Sequence, residues 1–92
     1  MRNPLEEKRK KIDAIDGRLA ALLAERLAIA ASLAGSKIKV RDPVREAVVL
    51  KRAAGLTKNR KLRAAVLAVF REILKQGRRL QRDIINQYDH KT

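Results

Sequence analysis

The fold of this chain is decided by residues 5–36, which read LEEKRKKIDAIDGRLAALLAERLAIAASLAGS. Apolar residues and a few charged ones recur through this stretch in steps of four and three, the spacing of a helix face that packs lengthwise against other helices. The recurring positions are Leu5, Arg9, Ile12, Asp16, Leu19, Leu23, Arg26, Ala30, Leu33 and Lys37. Gly17 lies within the pattern, but one glycine inside a helix costs only about 1 kcal/mol. The spacing therefore predicts a first helix over residues 5–36.

A second, short helix is indicated by a start signal that follows the first helix. Asp42 is a residue type that caps helix N-termini, and Pro43 suits the first helical position. These residues predict a helix over residues 43–54. Gly55 is then placed to end it in the left-handed conformation that glycine adopts easily.

A third helix is predicted after a polar connector. Asn59 can cap this helix, and apolar residues recur at helical spacing over residues 60–88. We therefore expect an all-α fold with three helices per protomer, long, short and long. The chain is expected to form a single domain over residues 1–92, with its core at about residues 5–88.

The length of the first helix constrains how the chain assembles. A helix of about 32 residues, at about 1.5 Å each, spans nearly 50 Å, which is more than a compact monomer of 92 residues covers. A second copy of the chain is the simplest partner for the far end, so we expect an intertwined homodimeric helical bundle. The alternative is a long antiparallel pair formed by helices one and three within one protomer.

The composition excludes several classes of protein. The chain has no cysteine and one histidine, His90, which removes disulfides, thiolate or histidine-cluster metal sites and a Ser-His-Asp triad. We therefore expect no metal. The formal net charge is +13 while 46% of the residues are hydrophobic, so we expect a folded protein with an anionic ligand rather than a disordered basic tail.

The N-terminal residues bear on localisation. They are charged, and no continuous apolar run follows them. This pattern predicts neither a signal peptide nor a transmembrane span, so the expectation is a cytoplasmic protein without a membrane partner.

Several charged residues fall on helix faces where apolar residues are expected. Arg9, Arg26 and Lys37 lie on the stripe of the first helix, and few acids accompany them. A buried charge without a partner is strongly unfavourable, and a bound dianion would neutralise these cations. For any one of them alone, a side chain that reaches solvent is an adequate explanation. Asp16 is expected to pair with a cation in a structural role.

In their order and spacing these residues resemble the all-helical chorismate mutases. That family carries R-x-x-I-x-x-I/L-D and then L-L-A-E-R on a long first helix, a lysine some eleven residues further on, R-D-x-x-R-E, and a glutamine on the third helix. The matching residues are Arg9 to Asp16, Leu22 to Arg26, Lys37, Arg41 to Glu46, and Gln81. The resemblance covers about residues 5–88, nearly the whole chain.

The resemblance implies an isomerase, a chorismate mutase that converts chorismate to prephenate by a Claisen-type pericyclic rearrangement in phenylalanine and tyrosine biosynthesis. It implies no cofactor and a homodimer with two sites, each completed by Arg9 from the other protomer. Arg26 and Arg45, with help from Arg9, would hold the substrate carboxylates. Chorismate is a dicarboxylate, which agrees with the excess of cationic residues.

The resemblance also implies the groups that act on the reacting atoms. Lys37 and Gln81 would donate hydrogen bonds to the ether oxygen of the breaking bond, and Glu46 would accept one from the ring hydroxyl. Asp42 sits where the family's backbone contacts that same hydroxyl. The chain departs from the family at Gly77, where a serine or asparagine is common.

One alternative function uses the same fold. Isochorismate pyruvate lyases have similar cationic residues and a closely related substrate. Glu46 favours the mutase, because its partner is the hydroxyl whose position distinguishes chorismate from isochorismate.

A second alternative is a basic helical module that binds nucleic acid. The pI of about 11.2 and the clusters at residues 58–61 and 78–79 would suit phosphate contacts. Phe70 and Tyr88 are the only aromatic residues, so the chain has no stacking platform for single strands. The sequence therefore favours the mutase over nucleic-acid binding.

Overall fold

The computed structural model describes the backbone of residues 3–35 and 41–90, and the side chains as far as residue 87. Its helices are α1 (Pro4–Ser32), α2 (Pro43–Leu56) and α3 (Arg60–His90). The predicted all-α fold with a long, a short and a long helix is confirmed. None of the described helices combines the length and the apolar character that are needed to cross a bilayer.

Side-chain caps determine where the helices begin. Asn3 caps α1, and Oδ1 of Asp42 accepts a hydrogen bond of 3.0 Å from the backbone nitrogen of Arg45 at the start of α2. Oδ1 of Asn59 accepts one of 2.9 Å from the backbone nitrogen of Lys61. These bonds satisfy N–H groups that have no partner inside their helices. The caps predicted at Asp42 and Asn59 are therefore confirmed.

The first helix ends slightly earlier than its apolar stripe indicates. Its α-helical geometry stops at Ser32, and a tighter 3-10 turn continues over Leu33–Gly35. Such turns are common at helix C-termini, because they satisfy the last carbonyl groups with closer N–H partners.

The prediction that Gly55 ends α2 in a left-handed conformation is wrong. The helix continues through Gly55 to Leu56, and no glycine in the described part of the chain has a positive φ. Thr57 closes the helix instead: its backbone N–H donates to the Ala54 carbonyl at 3.2 Å, and its hydroxyl donates to the Ala53 carbonyl at 2.8 Å. Because these bonds satisfy the last carbonyls, no left-handed glycine is needed.

The third helix packs against the second half of α1 on one side and against α2 on the other. Leu19 shares a cavity with Phe70, while Ala30 lies beside Gly77 and accepts a hydrogen bond from Gln81. Positions therefore advance in the same direction on both long helices, and α1 and α3 are parallel. The antiparallel pair of helices one and three is wrong, because α2 reverses the chain direction between them.

The first half of α1 projects beyond this packed region. The molecule measures 65 × 27 × 14 Å, and every residue from 3 to 22 is exposed. Large apolar side chains on this segment expose 50% to 63% of their surface; they are Leu5, Ile12, Ile15, Leu19 and Leu22. A continuous exposed apolar stripe of this kind is typical of an interaction surface.

Replacing Asp42 with alanine should lower the free energy of unfolding by about 1 kcal/mol, because the N–H of Arg45 then loses its acceptor. Asp42→Asn keeps a capping oxygen and should remain close to the parent. Urea unfolding at one fixed protein concentration, followed by circular dichroism, measures both variants. Equal stability of the alanine and asparagine variants would show that the cap contributes nothing.

Candidate active site

A cavity of about 150 Å³ lies where the three helices meet. The end of α1, the start of α2 and the middle of α3 each contribute to its wall. Its lining residues are Arg26, Ala30, Leu33, Asp42, Arg45, Glu46, Val49, Leu74, Gly77, Arg78 and Gln81.

Most of the site residues predicted from the sequence line this cavity. Arg26 comes from α1, and Asp42, Arg45 and Glu46 come from the start of α2. Gln81 comes from α3. The fold thus gathers side chains that are 55 residues apart in the sequence, from Arg26 to Gln81.

Arg9 does not reach this cavity within its own protomer. It precedes Arg26 by 17 residues on the same helix, a separation of roughly 26 Å along the axis. Its Nη1 lies 3.6 Å from Oε1 of Glu6, and both side chains are more than half exposed, so this ion pair contributes little stability. Asp16, for which a structural pairing was expected, is likewise exposed. Lys37 lies outside the described residues.

Gln81 is held in place by the contact between the long helices. Its Nε2 donates a hydrogen bond of 2.7 Å to the backbone carbonyl of Ala30. A side-chain amide carries two N–H groups, so this bond leaves one donor for another acceptor. The amide of Gln81 is therefore an oriented donor at the cavity wall.

Gly77 lies at the same helix contact and is buried. A Cβ added at this position would stand 3.8 Å from the Cβ of Ala30, an ordinary van der Waals distance. The packing of α1 against α3 therefore leaves room for a small side chain here. The departure from the family's common serine or asparagine is not forced by crowding of the helix backbones.

The cavity carries more positive than negative charge. Three guanidinium groups line it, those of Arg26, Arg45 and Arg78, against the carboxylates of Asp42 and Glu46. The Asp42 carboxylate also caps α2, which orients it toward the helix N-terminus. The net charge of this lining suits an anionic ligand.

Sequence reasoning missed the part played by Arg78. Its Nη1 lies 2.6 Å from Oε1 of Glu46, and the two side chains are only 16% and 18% exposed. The sequence pattern places Arg78 with Arg79 in a basic cluster that would suit phosphate contacts. Its position three residues before Gln81 puts the two side chains on one face of α3, and this spacing was the available signal.

The described residues offer no metal site. Among the side chains of residues 3–35 and 41–87, no three histidine, cysteine, aspartate or glutamate residues gather closely enough to hold a metal ion.

These features define a small all-helical protein with a positively charged site between its helices. The chain belongs to the chorismate mutase type II family, whose family model matches residues 8–82. The matched segment runs from just before Arg9 to just after Gln81 and so contains every predicted site residue. Comparisons with curated proteins and with solved structures gave no significant match.

Membership of this family establishes the kind of reaction. The protein is an isomerase, and its substrate is chorismate, which it converts to prephenate. The comparisons do not support the lyase or the nucleic-acid module as alternatives.

Proposed function

We propose that the cavity at the meeting point of the three helices is the chorismate mutase active site, with Arg26 and Arg45 binding the two substrate carboxylates. The convergence of these guanidinium groups with Glu46 and Gln81 is the observation that carries this proposal. Planar guanidinium forks suit carboxylates, because each can form two parallel hydrogen bonds.

The reaction itself asks little of the protein in covalent chemistry. The ether C–O bond of chorismate breaks while a C–C bond forms between the enolpyruvyl arm and the ring, and no proton is transferred. The enzyme must hold the arm folded over the ring and stabilise the negative charge that builds on the ether oxygen. Oriented donors and fixed cations supply both effects without a nucleophile.

Gln81 and Lys37 are proposed as the donors to that ether oxygen. The hydrogen bond from Gln81 to the Ala30 carbonyl orients the amide before substrate arrives, so little reorganisation is needed during the reaction. Lys37 is included because the sequence pattern matches the family's lysine. Glu46 is proposed to accept a hydrogen bond from the ring hydroxyl, with Asp42 beside it at the start of α2.

The functional unit is proposed to be a homodimer. The exposed apolar stripe on the first half of α1 supports it, because one protomer supplies nothing that covers these side chains in the described part of the chain. An open apolar cavity of about 300 Å³ between Leu19 and residues 65–70 continues this surface onto α3. A second copy would bury both.

Arg9 is proposed to complete the site of the other protomer. If the two first helices pack antiparallel about a two-fold axis near residues 17–18, Arg9 of one copy stands opposite Arg26 of the other. In this register Arg9 of one copy reaches the cavity of the other copy. Within its own protomer, Arg9 is roughly 26 Å along the helix from Arg26 of the cavity. The same interface then serves stability and catalysis.

The first test is turnover of chorismate by the purified protein, with identification of the product. Lys37→Ala should lower kcat by about 100-fold or more, because one donor to the developing charge is lost. Lys39→Ala removes the same charge two residues on and should leave turnover near the parent value. Near-normal activity of the Lys37 variant would remove this residue from the site. Pyruvate instead of prephenate would contradict the mutase mechanism.

A carboxylate placed in the apolar stripe should separate the dimer. Ile15 is 50% exposed in the protomer, so Ile15→Glu costs the monomer little and puts a charge into the proposed interface. We expect a monomer by size-exclusion chromatography with light scattering, and about 100-fold lower activity because the Arg9 contact is lost.

Gly17→Glu is the matched control for this variant. It adds the same charge about 200° round the helix from Ile15. A Cβ there meets no atom within 4 Å in the protomer. This control should remain dimeric and active. A parent protein that is monomeric and fully active would contradict the dimer.

Mixing two inactive variants tests whether Arg9 acts across the interface. Arg9→Gln and Arg26→Gln should each be nearly inactive alone, whereas a mixed dimer contains one intact site. Random exchange makes half of the dimers mixed, so about a quarter of the parent activity should return on co-refolding. No recovery would mean that both arginines act within one protomer.

A further inference from the structure

We propose that Arg78 is a positioning and specificity-determining residue, which holds the Glu46 carboxylate and cancels its charge so that the subsite selects a neutral hydroxyl on the substrate ring. This inference rests on the proposed function, in which Glu46 faces the ring hydroxyl.

The geometry of the pair is that of a strong, partly buried contact. Nη1 of Arg78 and Oε1 of Glu46 are 2.6 Å apart and join the middle of α3 to the first turns of α2. The two side chains keep only 16% and 18% of their exposure, so water screens the pair weakly. A charge-assisted hydrogen bond in such surroundings restrains the carboxylate far more than a surface ion pair does.

The Arg78–Glu46 ion pair lies in the wall of the proposed substrate site. Glu46 and Arg78 line the candidate active site, and both also line a second cavity of about 260 Å³. Arg41 and Arg71 lie in that second cavity, so further positive charge surrounds the pair there. The ion pair therefore forms part of the partition between the two cavities and fixes one edge of the substrate space.

The ion pair with Arg78 leaves Glu46 able to accept a hydrogen bond from the substrate. A carboxylate has two oxygens, and the contact with Arg78 uses Oε1. The other oxygen remains an acceptor for a hydroxyl hydrogen. Because the guanidinium limits rotation of the carboxylate, this acceptor is oriented before the substrate binds.

Pairing also determines what kind of ring substituent is preferred. An unpaired carboxylate would attract an ammonium group strongly in a partly buried site. With Arg78 beside it, the Glu46 carboxylate belongs to a neutral pair, and a cationic substituent meets the repulsion of a guanidinium nearby. The pair thus favours the hydroxyl of chorismate over an amino group at the same ring position.

The test compares kcat/KM for chorismate with that for its analogue bearing an amino group in place of the ring hydroxyl. Arg78→Gln should lower kcat/KM for chorismate by about tenfold, because a charge-assisted hydrogen bond to Glu46 is lost. Its preference should shift toward the amino analogue by about tenfold or more. Glu46→Gln should shift the preference in the opposite direction, because it leaves the Arg78 charge unpaired.

Three further variants separate positioning from a general structural effect. Arg78→Lys keeps the charge and should stay within about threefold of the parent for chorismate. The double variant with Glu46→Gln should be no worse on chorismate than Glu46→Gln alone, because Arg78 acts through Glu46. Arg79→Gln removes the same charge from the neighbouring exposed position and should change neither activity nor preference.

The measured preferences and rates test the role of Arg78 separately from the mutase assignment. An unchanged preference in Arg78→Gln, or an additive loss in the double variant, would overturn the role of Arg78 while leaving the mutase assignment intact. If Arg78→Gln fails to fold by circular dichroism, the comparison passes to Glu46→Gln, where an unchanged preference would overturn it. A parent enzyme that turns over no chorismate would instead reject the proposed function itself.

Discussion

The contact between α1 and α3 around Ala30 and Gly77 is the interaction on which the site depends. Two small residues let these parallel helices approach, and Gln81, one turn beyond Gly77, donates to the Ala30 carbonyl at 2.7 Å across the same contact. The packing that joins the helices therefore also orients a donor at the cavity. The start of α2 closes the remaining wall and adds two carboxylates and a guanidinium.

The electrostatics of the site depend on which charged side chains are paired, and not only on how many charges line it. Arg78 is paired with Glu46 at 2.6 Å, whereas Arg26 and Arg45 add further positive charge to the lining of the cavity. This division matches a substrate with two carboxylates and one neutral hydroxyl. The proposed arrival of Arg9 from a second copy would link this charge pattern to assembly, since the apolar stripe that carries the arginine is otherwise left in water.

Features that depend on residues close together in the chain could be predicted without the structure. The stripe of residues 5–36 predicted α1 almost to its end, and Asp42 and Asn59 predicted the starts of α2 and α3, because a cap bonds to nitrogens only two or three residues away. The resemblance to the chorismate mutases, which rests on residue order and spacing, also predicted that Arg26, Arg45, Glu46 and Gln81 belong to one site. The family match over residues 8–82 then established the reaction.

Features that depend on contacts between distant residues could not be predicted in this way. The parallel course of α1 and α3 follows from the reversal made by α2, which no helical period encodes. The pairing of Arg78 with Glu46 spans 32 residues, so a pattern that places Arg78 beside Arg79 reads it as surface charge. The end of α2 differs from its prediction for a local reason: the hydroxyl and N–H of Thr57 satisfy the carbonyls of Ala53 and Ala54, so no left-handed glycine is needed at Gly55.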